Sequence, residues 1–369
     1  MKLQEIKNIL ICPLEWGLGH AGRMIPVAAE LLATGNNVFI GSGKEHTDLF
    51  KNELNGLSYI HFPGFRIKYS RWLPQYVKII LSAPSFLYHI LKEHRQLKSI
   101  IKEYSIDIVI SDSRLGLWNN DITTAFVTHM VSVPYPKSLR FLEKAGLPIM
   151  RKIFSRFDLC YIPDLPGETN LSGKLSHGMD YPSNTRFVGI LSRFGRVPAE
   201  TTLIPGKYYC TVILSGPEPQ KSMLREKAIR IVERSGKQSV ILEARPGEKR
   251  ESVARGNVIF ISHLPASEMK TTILESEHII TRSGYTTLME LVTIGRSALI
   301  IPTPGQAEQE YLADLMAERG WFASVRQNSL KDDIILPDPD AKWPSGLYEE
   351  SRLLLKEALK ELLEYKHDH

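Results

Sequence analysis

Lys7-Asn-Ile-Leu-Ile-Cys-Pro13, and the glycine-rich Gly17-Leu-Gly-His-Ala-Gly22 that follows it, decide the fold. The first run is short, β-branched and apolar, which predicts a strand. The glycines predict a tight turn, and helical spacing of apolar residues from Met24 to Leu32 predicts a helix behind it. The same unit recurs outward. Strands are predicted at Asn37–Gly41, Leu57–Phe62, Ile106–Ser111, Ala125–Thr128 and Leu159–Ile162, with helical stretches interleaved. Such alternation implies a parallel sheet with crossover helices.

Between Leu191 and Lys207 the periodicity lapses, and Arg193, Gly195, Arg196, Pro198, Pro205 and Gly206 read as a linker. The pattern then restarts with a strand at Tyr208–Leu214, the loop Ser215-Gly-Pro-Glu-Pro219 and a helix at Met223–Arg234. Strands follow at Ser239–Leu242, Val258–Ile261, His278–Thr281 and Ala298–Ile301, with helices at Ala266–Glu275 and Thr286–Ile294. Glu349–Tyr365 carries Leu and Ala on one helical face and Glu and Lys on the other. The expected division is one domain over 1–192, a linker over 193–206, a second domain over 207–345, and a helix over 346–369 packing back across both. The expected class is α/β, with two doubly wound Rossmann-like domains facing a cleft where the carboxyl ends of the strands bind ligands.

Composition narrows the partners. With 369 residues, 43% apolar and 24% charged, the chain is long enough for two cores and excludes disordered and low-complexity classes. Forty-six basic against 41 acidic side chains leave +5, too little and too dispersed for nucleic acid. Cys12, Cys160 and Cys210 lie far apart without CxxC spacing, which suggests neither disulfides nor a zinc site and fits a reducing cytoplasm. The first residues carry charges and no apolar signal region. Lys78, Pro84 and His89 interrupt the lipophilic stretch Tyr76–Leu91, so it falls short of a spanning helix.

Two blocks carry chemistry. Gly17-x-Gly19-x-x-Gly22 formally matches a dinucleotide fingerprint, yet the second strand ends in Ile40-Gly-Ser-Gly-Lys44 where a nicotinamide site wants a carboxylate. His20 stands at the helix start, where the positive helix end keeps an imidazole neutral and able to act as a general base. The alternative is a ring that ties the loop to its neighbours. In Thr281-Arg-Ser-Gly-Tyr-Thr-Thr-Leu-Met-Glu290, the Ser283-Gly284 turn and Thr286 suit a phosphate. Glu290, two turns on, could accept two ribose hydroxyls, although a lone helical Glu is more often solvated surface. Gln309 and Glu310 could read sugar hydroxyls or serve as a polar first turn.

At these blocks the chain resembles the GT-B glycosyltransferases, in particular the MurG-like, family-28-like branch that moves N-acetylglucosamine from UDP to a lipid-linked acceptor. The likeness spans nearly the whole chain. It implies that Gly17-Leu-Gly-His20, with Glu15, Trp16, Gly17 and Gly19, forms the acceptor-side loop, with Pro26 recurring after it. It implies that Arg282, Ser283, Gly284 and Thr286 lie in the donor signature whose Glu290 holds the ribose, and that Gln309 and Glu310 take the donor sugar. Ser215 and Gly216 then fall near the diphosphate, Arg193 on the linker arginine, and His263-Leu264-Pro265 on the uracil loop. Glu310 replaces a second Gln, Pro217 and Glu218 replace glycines, and His129 stands about where the family has a Glu.

What the resemblance implies chemically is an inverting transfer from a UDP-sugar, UDP-N-acetylglucosamine or a similar hexose, with no metal and no further cofactor. Preorganised N–H groups with Arg193 or Arg282 would stabilise the departing UDP. His20 is the first candidate for the base, with Asp112 and His129 as alternatives. The acceptor would be lipid-linked or another glycan. Arg66–Lys102, with Trp72, Tyr76, Phe86 and Tyr88, could dock on anionic lipid at the inner membrane face, or be a buried helix pair with solvated lysines. A UDP-sugar 2-epimerase or hydrolase, needing several cleft carboxylates from Glu15, Asp112 and Glu290, and a non-catalytic nucleotide-sugar sensor are the rival readings.

Overall fold

The computed structural model describes residues 5–65, 75–132, 141–198, 202–247 and 249–366, without the side chains of 75–83 and 141–145. The chain forms two compact units; the first lies within Met1–Lys68, Tyr76–Leu191 and Gly346–His369, the second mainly within Ser192–Ser345.

In the first unit, β1 (Asn8–Pro13) leads into α1 (Leu18–Ala33), β2 (Asn37–Ser42), α2 (Lys44–Glu53) and β3 (Ser58–His61). Then come α3 (Gln75–Tyr104), β4 (Ile108–Asp112), β5 (Thr123–Val127), α4 (Phe141–Phe154), β6 (Leu159–Ile162) and β7 (Thr185–Phe187). The seven strands are parallel in the order β3-β2-β1-β4-β5-β6-β7. Ile9, Leu10, Ile11 and Cys12 are wholly buried, as a strand covered on both faces requires. Pro13 pairs with Asp112, so β1 and β4 end together where the strand order reverses, which is where such sheets open a ligand crevice.

The second unit repeats the plan with β8 (Tyr208–Ile213), α5 (Gln220–Arg234), β9 (Ser239–Leu242), β10 (Ser252–Arg255), β11 (Val258–Ile261) and α6 (Ala266–Leu274). It continues through β12 (Ser276–Thr281), α7 (Tyr285–Thr293), β13 (Leu299–Ile300), α8 (Ala307–Glu318) and β14 (Ala323–Ser324). Its order is β10-β11-β9-β8-β12-β13-β14, parallel except for the β10–β11 hairpin. β8 and β12 mark the reversal here.

The last helix, α9 (Leu347–Glu364), is part of the first unit. Tyr161 Oη donates to Ala358 O at 2.8 Å, and the Arg186 guanidinium grips Glu361 with two bonds of 2.7 and 2.9 Å. Gly189 lets the chain pass against this helix: its φ is +72°, and a Cβ there would lie closer than 3.0 Å to Ser351 Cα.

Three local differences from the sequence expectation have physical causes. α1 begins at Leu18, six residues before Met24, because Gly17 at φ 108° turns the chain straight into the helix. α3 is one helix of 30 residues with Pro84 inside it, not a pair. β10 is fully exposed, so it shows no apolar period to predict it.

Candidate active site

Four side chains of the first unit share one network at the carboxyl ends of β1, β4 and β5. His20 lies in the first turn of α1, whose N-cap Gly17 offers no side chain and whose first turn carries no acid. Its Nδ1 is 3.0 Å from Asp112 Oδ2, at the end of β4. Arg23, one turn further on the same helix face, donates from Nε to Asp112 Oδ2 at 3.0 Å and from Nη2 to Oδ1. Arg23 Nη1 reaches His129 Nδ1, just past β5, at 2.8 Å. Burial alone would raise the Asp112 carboxyl; Arg23 and then His20 outweigh it and hold it well below the usual carboxylate range. Asp112 is fully buried and the His20 side chain is 18% exposed, so the cluster is capped by a reachable imidazole. Ser113 turns the chain after β4 with φ 58°, a left-handed conformation costly for any residue but glycine.

The network brings together the three candidates for the base and adds Arg23, which the sequence reading passed over. Its signal was present: a charged residue three positions after His20 within an otherwise apolar helix face.

The loop ahead of α1 is held by its own neighbours. The buried Glu15 accepts from the Gly43 amide, Trp16 Nε1 donates to Phe65 O at 2.8 Å, and His46 Nε2 meets Gly17 O at 3.1 Å. Gly17 is exposed, and Gly19 sits half-buried beside His20.

In the second unit Arg193 Nε donates to Glu290 Oε1 at 2.7 Å, and both side chains are nearly buried. Leu264 is buried and His263 half-buried in the loop between β11 and α6. Burial, then the charges of Arg193 and Arg250, push the His263 imidazole down to about 4. Ser283 and the N-cap Gly284 lead into α7, which has no side-chain cap and no acid in its first turn; Thr286 follows in that turn. Arg282 is wholly buried and clamps three carbonyls, those of Ile301 and Pro302 at 3.3 Å and Gln220 at 2.6 Å. Burial pushes its guanidinium down to about 10, so it stays a cation. Ser215 and Gly216 lie in the loop after β8, with Gly216 exposed. Gln309 accepts from Thr303 N at 2.9 Å and Glu310 from Gly305 N at 3.0 Å, so both side chains brace the loop before α8. Ser283 Oγ donates to Gln309 O at 2.8 Å and joins the two loops.

Of the proposed lipid-facing segment, 66–74 and the side chains through 83, including Lys68, Arg71, Trp72, Tyr76 and Lys78, lie outside the described residues. In α3, Leu87, Tyr88 and Leu91 are exposed, whereas Phe86 is half-buried. No described helix is long and apolar enough to cross a membrane.

Comparison with known proteins matches this architecture. Residues 220–336 match the family model for the glycosyltransferase family 28 C-terminal domain. An "Uncharacterized glycosyltransferase" of Methanosarcina mazei is 24% identical over 345 residues, covering 87% of this chain and 86% of that one. The glycotransferase of kitacinnamycin has a similar fold, with TM-score 0.62 and 15% identity over 97% of this chain and 100% of that one. So does the Streptomyces sp. SF2575 glycosyltransferase SsfS6, complexed with thymidine diphosphate, with TM-score 0.56 and 13% identity over 96% of each chain. Two Rossmann-like units in succession, each with its polar residues at the strand ends, make a GT-B fold. The chain is similar to glycosyltransferases of the GT-B, family-28-like type, and residues 220–336 of its second unit match the family 28 C-terminal domain.

Proposed function

We propose that the protein is an inverting, metal-independent hexosyltransferase that takes its sugar from a UDP-linked donor, UDP-N-acetylglucosamine or a similar hexose, and passes it to a lipid-linked or glycan acceptor. The observation that carries this reading is the His20–Asp112 contact of 3.0 Å at the crevice of the first sheet. An imidazole oriented by a buried carboxylate can take a proton from a hydroxyl, which is what an acceptor sugar or lipid alcohol offers.

The second unit supplies complementary chemistry. The uncapped N-terminus of α7 and the buried Arg282 cation behind it favour the diphosphate that leaves with its charge. Glu290, steadied by Arg193, suits ribose hydroxyls. The thymidine diphosphate in the complex of SsfS6 supports a nucleoside diphosphate as the donor's handle. The epimerase or hydrolase alternative needs carboxylates free for a sugar. Here Glu15 is bound to the Gly43 amide and Asp112 to Arg23.

Peripheral membrane contact belongs to the same proposal. Leu87, Tyr88 and Leu91 are 59%, 67% and 52% exposed, with Lys92, Arg95 and Lys98 exposed further along α3. Apolar and basic side chains on one helix suit an anionic lipid surface.

The test is His20→Ala assayed against a panel of UDP-sugars with lipid-linked and glycan acceptors. Turnover should fall roughly 10²–10⁴-fold while UDP affinity is kept; an unchanged rate removes His20 as the base.

A further inference from the structure

The second unit holds a cavity of about 410 Å³ that the transferase reading does not use. Right-handed crossovers fix the face on which it lies. The step from β8 to β9 through α5 runs one way along the sheet, whereas the steps from β11 to β12 through α6 and from β12 to β13 through α7 run the other. Helix α5 therefore covers one face, while α6, which follows His263, and α7, which carries Glu290, cover the opposite one. The cavity lies on the α5 side, between that helix and the β10–β11 hairpin.

Cations dominate its walls. Lys221 and Arg225 are four positions apart on α5 and share one side of it. Lys221 Nζ donates to Glu243 O at 2.5 Å, Arg225 Nε donates to Glu243 Oε1 at 2.7 Å, and Arg245 donates to the other oxygen of that carboxylate. Three basic side chains thus converge on one residue just past the end of β9. Burial acts to raise the Glu243 carboxyl, but Arg225 and Arg245 outweigh it and hold it below its ordinary value, so it stays ionised. Between Glu243 and Arg245, Ala244 has φ 49°, a left-handed conformation with no polar side chain to offset its cost. With the chain turned there, both flanking side chains reach the cavity.

A fourth cation comes from β10, whose four residues are all exposed and so add nothing to the core. Alternation puts Val253 and Arg255 on one face of that strand, and both line the cavity. Arg255 stands opposite Val258, which makes Phe260 its diagonal neighbour across the hairpin. The guanidinium carbons of Arg225 and Arg255 lie 4.9 and 5.8 Å from the centroid of the Phe260 ring. Exposed acceptors complete the lining: Glu251, the Ser222 hydroxyl, and Glu218, which also takes the Ser222 amide at 3.2 Å.

We propose that this cavity binds a phosphorylated sugar or polyol, with the phosphate against Arg225, Arg245 and Arg255 and the hydroxyls against Glu218, Glu251 and Ser222. Guanidinium forks match the oxygens of a phosphate, and several converging cations suit a compact anion. A bare phosphate would give the two exposed carboxylates nothing to accept, whereas hydroxyls supply donors. The volume is that of a small-molecule site. A free sugar phosphate and the headgroup of an inositol phospholipid offer the same chemistry.

The experiment is calorimetric titration of the full chain with glucose 6-phosphate, in excess UDP to keep it out of the proposed donor region, with inorganic phosphate and glucose as separate titrants. Sedimentation with phosphatidylcholine vesicles, with and without phosphatidylinositol, tests the lipid source. Arg225→Gln and Arg255→Gln are the variants; Arg255 sits on an exposed strand, so its substitution should leave the circular dichroism spectrum unchanged. Glucose 6-phosphate should bind saturably, inorganic phosphate about tenfold more weakly, glucose not at all, and either variant should lose about tenfold or more in affinity. Recovery that requires phosphatidylinositol and falls in Arg255→Gln, with no binding of glucose 6-phosphate, assigns the site to the lipid headgroup and separates it from contact through α3. Binding that neither substitution weakens, or no binding of either probe, overturns the proposal. Equal affinity for inorganic phosphate and glucose 6-phosphate overturns its sugar or polyol part.

Discussion

Arg193, in the first turn after the first unit ends at Leu191, holds the carboxylate of Glu290 in α7 through a bond of 2.7 Å from Nε to Oε1. The pair gives the carboxylate a fixed orientation in a nearly dry setting, with the two side chains only 11% and 7% exposed. A carboxylate has about four lone-pair sites, so it can hold a guanidinium and still accept from ribose hydroxyls. Glu290→Gln preserves the shape and removes the charge. Calorimetric titration should show the UDP dissociation constant rising at least ~10-fold, or ~1.4 kcal/mol. Adding Arg193→Gln to that variant should cost less than it does alone, because the partner is already gone. An unaltered dissociation constant in Glu290→Gln would remove Glu290 from the donor site.

His263 makes stability depend on pH. Its imidazole is pushed down to about 4 by burial and by Arg193 and Arg250, with only Glu268 acting the other way. The unfolded chain takes up this proton near pH ~6.5, while the folded one resists until about pH 4. Across that window the unfolded state binds more protons, so acidification destabilises the fold and the loss grows from pH 6.5 towards 4. His263→Gln should flatten the urea midpoint between pH 7 and 4 relative to the unsubstituted chain. A slope unchanged by the substitution would show that the pH dependence arises elsewhere.

Most of both sheets was legible because buried parallel strands are continuous apolar runs, such as Ile9 to Cys12, and their turns are written in glycine; β10, exposed throughout, and the two-residue β14 offer no such run. The candidate site could be read where polar residues sit beside such a turn, as at His20 and Ser283. Arg23 was not, because a charged residue on a buried helix face has meaning only once Asp112, 89 positions away, is placed against it. The bond between Arg193 and Glu290 spans 97 positions and leaves no local trace. Gln309 and Glu310 show the converse. Their residue types suit a sugar, while their side chains lie on Thr303 N and Gly305 N, contacts fixed by loop geometry that composition does not encode.

Gly189 is where the returning helix meets the first unit most tightly. An alanine there would need a left-handed φ of +72° and would drive its Cβ into the backbone of Ser351. Overpacking and the backbone conformation together should cost roughly 2 kcal/mol or more in chemical denaturation. Ser351→Gly should not rescue it, since Cα of residue 351 is the nearest atom and remains. Full rescue by that second change would mean that only the serine side chain blocks the site.

Lipid attachment, if it occurs through α3, must use Leu87, Tyr88 and Leu91, which present large apolar groups to solvent on neighbouring turns of that helix. Lys92, Arg95 and Lys98 are exposed beyond them, so anionic headgroups should strengthen binding and salt should weaken it. Sedimentation with phosphatidylglycerol vesicles should recover the protein, and vesicles of phosphatidylcholine alone should recover less. Replacing Leu87, Tyr88 and Leu91 with Ser removes only exposed apolar surface, so the fold and UDP affinity should survive while vesicle binding drops about tenfold or more, as the loss of several buried apolar side chains requires. Equal recovery of the triple variant would exclude this face of α3 as the lipid contact.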